Sequence, residues 1–459
     1  MSKLALFGGT PIREYLFPSQ NTMDQREIDA VIEVMKRGRL SGYRGNWCPE
    51  FMGGPSVQQL EKEWQKRFNI KHAISVNSAT SGLHVACGAI GLKQGDEVIV
   101  TPYSMTCSAT APMIYGATPI FADIEKDYFC LNPDSIEERI TPNTKAIIVV
   151  SLFGQPYDIR INEIAKKHNL IVIEDAAQAV GSMTWEYETI IASGLQMQTR
   201  KDGCTKYAGT LGDIGVYSFN YGKHMTCGEG GMLVTNNDNL ALHCQLIRNH
   251  AEAIINGMPD LPIFHHCFEN KKTGIDIEVS LIKNLIGFNM RMTELQAVIV
   301  SEQLKKFDEL QAQRLINVCL LNGALSTIPA IEIGKIRPDC THTYYVLPYQ
   351  WNSEKADGSH RDRFIEAVKA ELTEREGREG EGVPIGCGYI KPLYLMPLFQ
   401  NNRFHFILNY RKGSCPVCED LWKDRLFLTL YQAPNSTQED MQDVAEAFLK
   451  VWEYRSELK

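Results

Sequence analysis

Three stretches of this chain gather residues that could do chemistry: Asn77–His84 (NSATSGLH), Ile171–Ser182 (IVIEDAAQAVGS) and Gly209–Gly231 (GTLGDIGVYSFNYGKHMTCGEGG). Asp175 ends a run that is apolar up to Glu174, so a strand there would set its carboxylate at the mouth of a sheet; taken alone it reads as a helix N-cap. Ser218 closes another β-rich run and Lys223 lies a few residues beyond it, an amine that in isolation is a solvated surface charge. Ala79, Thr80 and Ser81 open a helix rich in small residues, where free backbone N–H groups and the helix dipole can hold a phosphate, or where the helix is simply capped. Together, an anion cradle, a strand-end carboxylate and a strand-end amine are what pyridoxal 5'-phosphate requires: phosphate anchorage, a partner for the pyridinium nitrogen and a Schiff-base lysine.

These residues need a scaffold. Between about residues 55 and 240 short β-rich runs alternate with helical patterns, which predicts an α/β fold with a mainly parallel sheet covered by helices. A helix is expected after Pro55, with Val57, Leu60, Trp64 and Phe68 on one face. Strands are expected at Glu97–Val100, Ile120–Asp123, Ala146–Ser151, Ile171–Asp175, Gly215–Phe219 and Met232–Thr235, and chemistry in such sheets collects just beyond the strand ends. After Gly287 a long helix, Thr293 to about Leu315, leads toward a smaller C-terminal α+β unit. That unit has a strand at Thr343–Tyr349, a charged, solvated loop at Thr373–Gly382 and a closing helix from about Gln438 to Tyr454. The expected division is 1–300 and 301–459, and Ser182–Tyr207 and Asn256–Lys283 read as insertions on the scaffold.

Composition narrows the function class. With 47 basic and 55 acidic residues among 459, the net charge is −8 and the acidic excess is dispersed, which argues against a nucleic-acid or anionic-membrane partner. The longest strongly apolar stretch, about Ala146 to Phe153, is far short of the ~20 residues a membrane-spanning helix needs. Gly8, Gly9 and Pro11 break up any secretory leader, and 13 scattered cysteines suit free thiols in the reducing cytoplasm. The one CxxC, Cys415 and Cys418, reads as packing, and His265-His266-Cys267 as structural or surface residues, so no metal is expected. Gly222-Lys223 resembles the end of a nucleotide-binding Gly-rich loop, but that motif needs glycine at 217 and Ser or Thr at 224, where this chain has Tyr217 and His224. No GxGxxG follows an expected strand, and no HExxH occurs.

The motifs also resemble, in order and spacing, the fold-type I pyridoxal-phosphate-dependent sugar aminotransferases of the DegT/StrS group. The resemblance runs from LALFGGTPI through GGPSVQQLE, NSATSGLHVA, DEVIVTPYS, GATPIFADI, IEDAAQAVG, GTLGDIGVYSFN and GEGGMLVT to GFNMRMTELQAV and PLYLMPLF. It implies an aspartate-aminotransferase-like large domain with a seven-stranded sheet. Lys223 falls where the group has its Schiff-base lysine, Asp175 where an aspartate pairs with the pyridine nitrogen, and Gln178 where a side chain touches the ring or its 3-oxygen. Ala79, Thr80 and Ser218 match phosphate contacts. Asn289 matches a residue reaching the neighbouring subunit's cofactor, which implies a homodimer with shared sites. The implied reaction moves an amino group from glutamate or glutamine to a keto sugar, expected to be nucleotide-linked, in amino-sugar and polysaccharide biosynthesis.

Two departures stand out. The group commonly places an aromatic ring over the cofactor after a PxxT-like turn, and reading PYSM onto that turn puts Met105 there, with Tyr103 as a substitute. The stretch between Gly181 and Gly209 is longer than the group's usual one. The rival readings are a deoxysugar dehydratase, which tends to carry histidine in place of the lysine, a ketocyclitol aminotransferase, and a non-catalytic regulatory protein on the same fold.

Overall fold

The computed structural model describes residues 3–45, 48–185, 205–251, 285–401 and 410–458, and the backbone of 187–192 and 195–200. A seven-stranded sheet organises the first unit. Its strands are β1 (His72–Val76), β2 (Glu97–Val100), β3 (Thr118–Phe121), β4 (Thr144–Val150), β5 (Ile171–Asp175), β10 (Ile214–Ser218) and β11 (Gly231–Thr235), in the spatial order β1-β11-β10-β5-β4-β2-β3. Between β3 and β10 every pairing is parallel, while β11 runs antiparallel to both its neighbours. The strands are buried on both faces, which is why they read as continuous apolar runs instead of alternating ones.

Two expected strands, Glu97–Val100 and Ile171–Asp175, have the expected bounds, and the others shift by one or two residues. His72–Val76 was not expected as a strand: its polar His72 and Ser75 obscure it, and it is held by its antiparallel register with β11. The helix Pro55–Phe68 buries Val57, Leu60, Trp64 and Phe68 as the spacing predicts, and Trp64 packs edge-on against Tyr217 and Phe219 beneath the strand that leads to Lys223.

The segment Ser182–Tyr207 carries β6 (Met183–Thr184) paired with β9 (Lys206–Tyr207), and β7 (Tyr187–Ala192) paired with β8 (Leu195–Arg200), both antiparallel. The expected insertion at Asn256–Lys283, with His265, His266 and Cys267, lies outside the described residues. The long helix is Glu294–Leu325, capped by Thr293. It runs ten residues past the expected end because Val318, Leu321 and Leu325 continue into a second core.

That second core is built on a four-stranded antiparallel sheet, β12 (Ile331–Ile333), β13 (Leu347–Trp351), β15 (Leu426–Thr429) and β14 (Ile385–Cys387), and on the closing helix Gln438–Glu453. Leu4 and Phe17, from the N-terminal segment, are buried in it as well. The strand expected at Thr343–Tyr349 begins only at Leu347, since Tyr344 has φ +51° and breaks the extension. Cys415 and Cys418 are fully buried, and the N–H groups of Val417 and Cys418 donate to Asp123 at 2.9 and 3.0 Å. Among the described residues no helix is long and apolar enough to cross a membrane, and no His/Cys/Asp/Glu cluster could hold a metal ion.

Candidate active site

The C-terminal ends of β2, β4, β5 and β10 open onto one mouth, the place where an open parallel sheet exposes strand-end groups. Ser218 pairs with Gly231 across β10 and β11, and Gly231 pairs with Val76 across β11 and β1. A Cβ on Gly231 would lie 2.7 Å from the Ala79 nitrogen, so only glycine lets the helix Ala79–Ala89 start against the sheet. Ser78 caps that helix, its side chain accepting from Ser81 N–H at 3.0 Å, and the N–H groups of Ala79 and Thr80 have no intrahelical acceptor. Beside them the Asn77 Oδ1 is buried without a partner. Three sequence-predicted residues, Ala79, Thr80 and Ser218, are thus brought together at the sheet's mouth.

Asp175 ends β5 and is 4% exposed. Its Oδ2 accepts from the Ser108 hydroxyl at 2.8 Å and its Oδ1 from the Ala177 N–H at 3.1 Å. Burial pushes its carboxyl above the usual range, opposed by those two hydrogen bonds and by the Lys223 ammonium. A desolvated carboxylate with neutral donors as its direct partners is a strong attractor for a cationic N–H.

Lys223 is set by a turn: its N–H donates to Asn220 O at 2.9 Å, and the Asn220 Oδ1 accepts from Gly222 N–H at 3.2 Å. Its Nζ lies 4.1 Å from the centroid of the Tyr345 ring, a cation–π contact. His224 turns the other way. It is buried, one ring nitrogen lies 3.0 Å from Thr343 O, and burial holds its imidazole well below the ordinary histidine range.

Gln178 forms the floor on the β4 side, with Oε1 accepting from Phe153 N–H at 2.9 Å and Nε2 donating to the Tyr389 hydroxyl at 3.0 Å. Phe153 and Tyr389 both adopt left-handed φ, +61° and +54°, and their rings meet edge to face at 5.1 Å. Such conformations cost on the order of 1–3 kcal/mol each and persist where packing over-determines them.

Two expected residues stand apart. Met105 is 57% exposed, and Tyr103, its suggested substitute, is fully buried with its hydroxyl on Gly388 O at 2.6 Å. Cys107, in the same loop, lies close to Asp175 and Lys223: burial and the Asp175 carboxylate push its thiol up to about 11, against the opposing effect of Thr80, Ser108 and Lys223. Asn289 is exposed, bridged to Asn249 and accepting from Arg291 Nε at 2.9 Å. Ser108, Cys107, Phe153, Tyr345 and Tyr389 were not legible as site residues; the small-residue run TCSAT after β2 was the available signal for the first two.

A mainly parallel sheet with a strand-end aspartate, a lysine beyond the neighbouring strand and a helix N-terminus beside it has the architecture of the fold-type I aminotransferases. The chain belongs to the DegT/DnrJ/EryC1/StrS aminotransferase family, whose pattern it matches over residues 21–449, and it is an aminotransferase. It is 31% identical to the L-glutamine:2-deoxy-scyllo-inosose aminotransferase of Streptomyces kanamyceticus, over 100% of this chain and 98% of that one. It is 32% identical to the GDP-perosamine synthase of Escherichia coli O157:H7, over 73% and 77% of the two chains. NtdA of Bacillus subtilis, solved with bound cofactor PMP, superposes with a TM-score of 0.69 at 26% identity, covering 96% of this chain and 86% of that one.

Proposed function

We propose that this aminotransferase uses pyridoxal 5'-phosphate to move the amino group of glutamate or glutamine onto the ketone of a keto sugar, nucleotide-linked, in amino-sugar biosynthesis. The observation that carries the reading is the Lys223 amine held on the Tyr345 face at the mouth where buried Asp175 and the Ala79–Ala89 N-terminus converge. The residues fit the cofactor: Gly231 clears a cradle that a Cβ would fill, and among the described residues Asp175 has no cationic partner in hydrogen-bond contact.

When bound, the cofactor supplies the carbon that takes up the amino group and a ring that accepts electron density. The Ala79 and Thr80 N–H groups and the Ser218 hydroxyl would hold its phosphate. Asp175, oriented by Ser108, would keep a proton on the ring nitrogen, which favours an electron-rich transition state over the ground state. With the cofactor bound, Lys223 would serve as the general base for the donor's Cα proton and as the general acid that hands that proton on. Phe153, Gln178 and Tyr389 form a rigid wall that limits movement of the reacting groups. We read Asn289, exposed on this chain, as serving a partner subunit's site in a homodimer. The 11 described cysteines are all free thiols, which suits a cytoplasmic enzyme.

A ketocyclitol acceptor is the second reading, favoured by the Streptomyces kanamyceticus relative, whose match spans both chains. The buried His224 weighs against the dehydratase reading, because the amine of Lys223 and not the imidazole faces the site. The test is spectroscopic. Protein loaded with pyridoxal phosphate should show a visible band that glutamate or glutamine bleaches and that one member of a panel of nucleotide-linked keto sugars, free keto sugars and ketocyclitols restores. A band that no amino donor bleaches would overturn the proposal.

A further inference from the structure

Residues 341–345 belong to no helix or strand, and their backbone is nevertheless fastened on two sides. On one side Thr341 N–H donates to Met183 O, Thr343 N–H to Gly154 O and Tyr345 N–H to Phe153 O, each at 2.8 Å. On the other, Thr343 O accepts from His224 Nε2 at 3.0 Å and from Gln311 Nε2 at 3.2 Å. Gln432, fully buried, donates through Nε2 to Tyr344 O at 3.1 Å and to Tyr345 O at 3.2 Å. Between these clamps the backbone is strained: Tyr344 has φ +51° and Phe153, across the contact, +61°. A Cβ on Gly154 would lie 2.6 Å from Tyr344 N, so the two chains touch at backbone distance. Strain that is over-determined from several elements points to a function for what the segment carries.

What it carries to the mouth is the ring of Tyr345. Lys223 Nζ lies 4.1 Å from its centroid, and the ring of His224, the next residue, lies 6.1 Å from it at a tilt of 43°. Because His224 also bonds Thr343 O, the turn that sets the lysine and the segment that sets the ring are tied to each other. An aromatic face carries the negative side of its quadrupole, so it attracts an ammonium and does little for a neutral amine.

We infer that Tyr345 is a positioning residue for Lys223, whose ring stabilises the amine while it carries the proton taken from the donor's Cα. The inference rests on the aminotransferase reading above. In that step the C–H bond breaks with its electron pair left on the carbon, the Nζ lone pair takes the proton, and positive charge grows on the nitrogen against the ring face. An attraction that is stronger for the ammonium than for the amine lowers the barrier to the transfer. The same contact keeps the side chain at the mouth until the proton is handed on.

The test replaces Tyr345 by phenylalanine and by a trifluorinated phenylalanine, which keeps the ring's shape while draining negative potential from its face. Enzyme loaded with pyridoxal phosphate is mixed with glutamate or glutamine carrying hydrogen or deuterium at Cα, and bleaching is followed through a single turnover. Tyr345→Phe should bleach within about twofold of wild type and the fluorinated protein about tenfold more slowly, the order expected of a cation–π contact in a partly desolvated site. The half-saturating donor concentration should stay within about twofold, and the deuterium isotope effect should grow because proton transfer has become the slower step. In cofactor-free protein, acetic anhydride should label the Lys223 amine several-fold faster with the fluorinated ring than with phenylalanine, read by mass spectrometry of its peptide. Tyr345→Leu serves if the fluorinated protein does not fold, and should show the same slowing and the same faster labelling. Equal bleaching and equal labelling with the two rings would mean that Tyr345 only packs, and overturns the inference. So does a raised half-saturating donor concentration with an unchanged isotope effect, which would assign the ring to donor binding. A wild-type enzyme that no donor bleaches, with the labelling difference intact, would sink the donor reading while the contact between ring and lysine stood.

Discussion

Replacing Glu174 by glutamine should flatten the dependence of stability on pH. Glu174 precedes Asp175 on β5 and is fully buried, with Oε1 accepting from the Ser151 hydroxyl at 2.7 Å and Oε2 from Leu211 N–H at 3.2 Å. Burial raises its carboxyl from 4.5 to about 7, against the opposing hydrogen bonds. The folded state therefore holds the proton more tightly than the unfolded chain. The resulting stability is complete below 4.5 and is lost as pH rises through about 7, a total of about 3 kcal/mol. Between about pH 5.5 and about pH 8.5 the loss is about 2 kcal/mol, or about 4 °C at about 2 °C per kcal/mol for a large chain. Glutamine mimics the neutral acid, since the Ser151 hydroxyl can reverse to accept while the backbone N–H keeps its oxygen. Melting midpoints of the two proteins, measured across that range without cofactor, should converge at the acid end, with the variant more stable at the alkaline end. Parallel curves would refute the argument and assign the pH dependence to other groups, Asp175 and Glu125 among them, whose carboxyls burial also raises.

Borohydride reduction of the loaded enzyme should trap the cofactor on the peptide containing Lys223, and Lys223→Ala should abolish turnover while retaining some phosphate-anchored binding; trapping on Lys206 would reassign the amine. Asp175→Asn should fold normally and lose about 10²–10⁴-fold in turnover, because an amide cannot keep the ring nitrogen protonated; near-normal turnover would reduce Asp175 to a cap. Gly231→Ala drives a methyl to 2.7 Å from backbone atoms of Ser78 and Ala79, so cofactor affinity should fall at least tenfold, about 1.4 kcal/mol, in an equilibrium titration. An unchanged affinity would mean that the helix N-terminus does not hold the phosphate. Mixing Lys223→Ala with Asn289→Ala subunits should restore activity through one intact composite site, and verified exchange without recovery would count against sharing.

Much of this protein was determined by local sequence. A parallel strand buried on both faces must be apolar until it leaves the sheet, so the run ending at Glu174 and Asp175 marks the mouth without any knowledge of its neighbours. The small residues after Ser78 and the turn residues before Lys223 carry the same local information. What the tertiary structure decided is which groups meet there. Ser108 reaches Asp175 across 67 residues of sequence, and Gln178 reaches Tyr389 across 211, contacts made by strand order and by the approach of the second unit. Cys107 is half-buried beside Asp175 while Met105, two residues earlier, is exposed, a difference that the sequence pattern of a short loop does not specify. Arg375, in the run Thr373–Gly382 expected as a solvated loop, is buried for a similar reason. Its run is rich in charge, and the pairing of Phe17 with Arg375 and the bond to Leu430 O help carry that one guanidinium inside. A charge pattern records how many residues can be solvated; which of them is withdrawn from water depends on the elements that close over it.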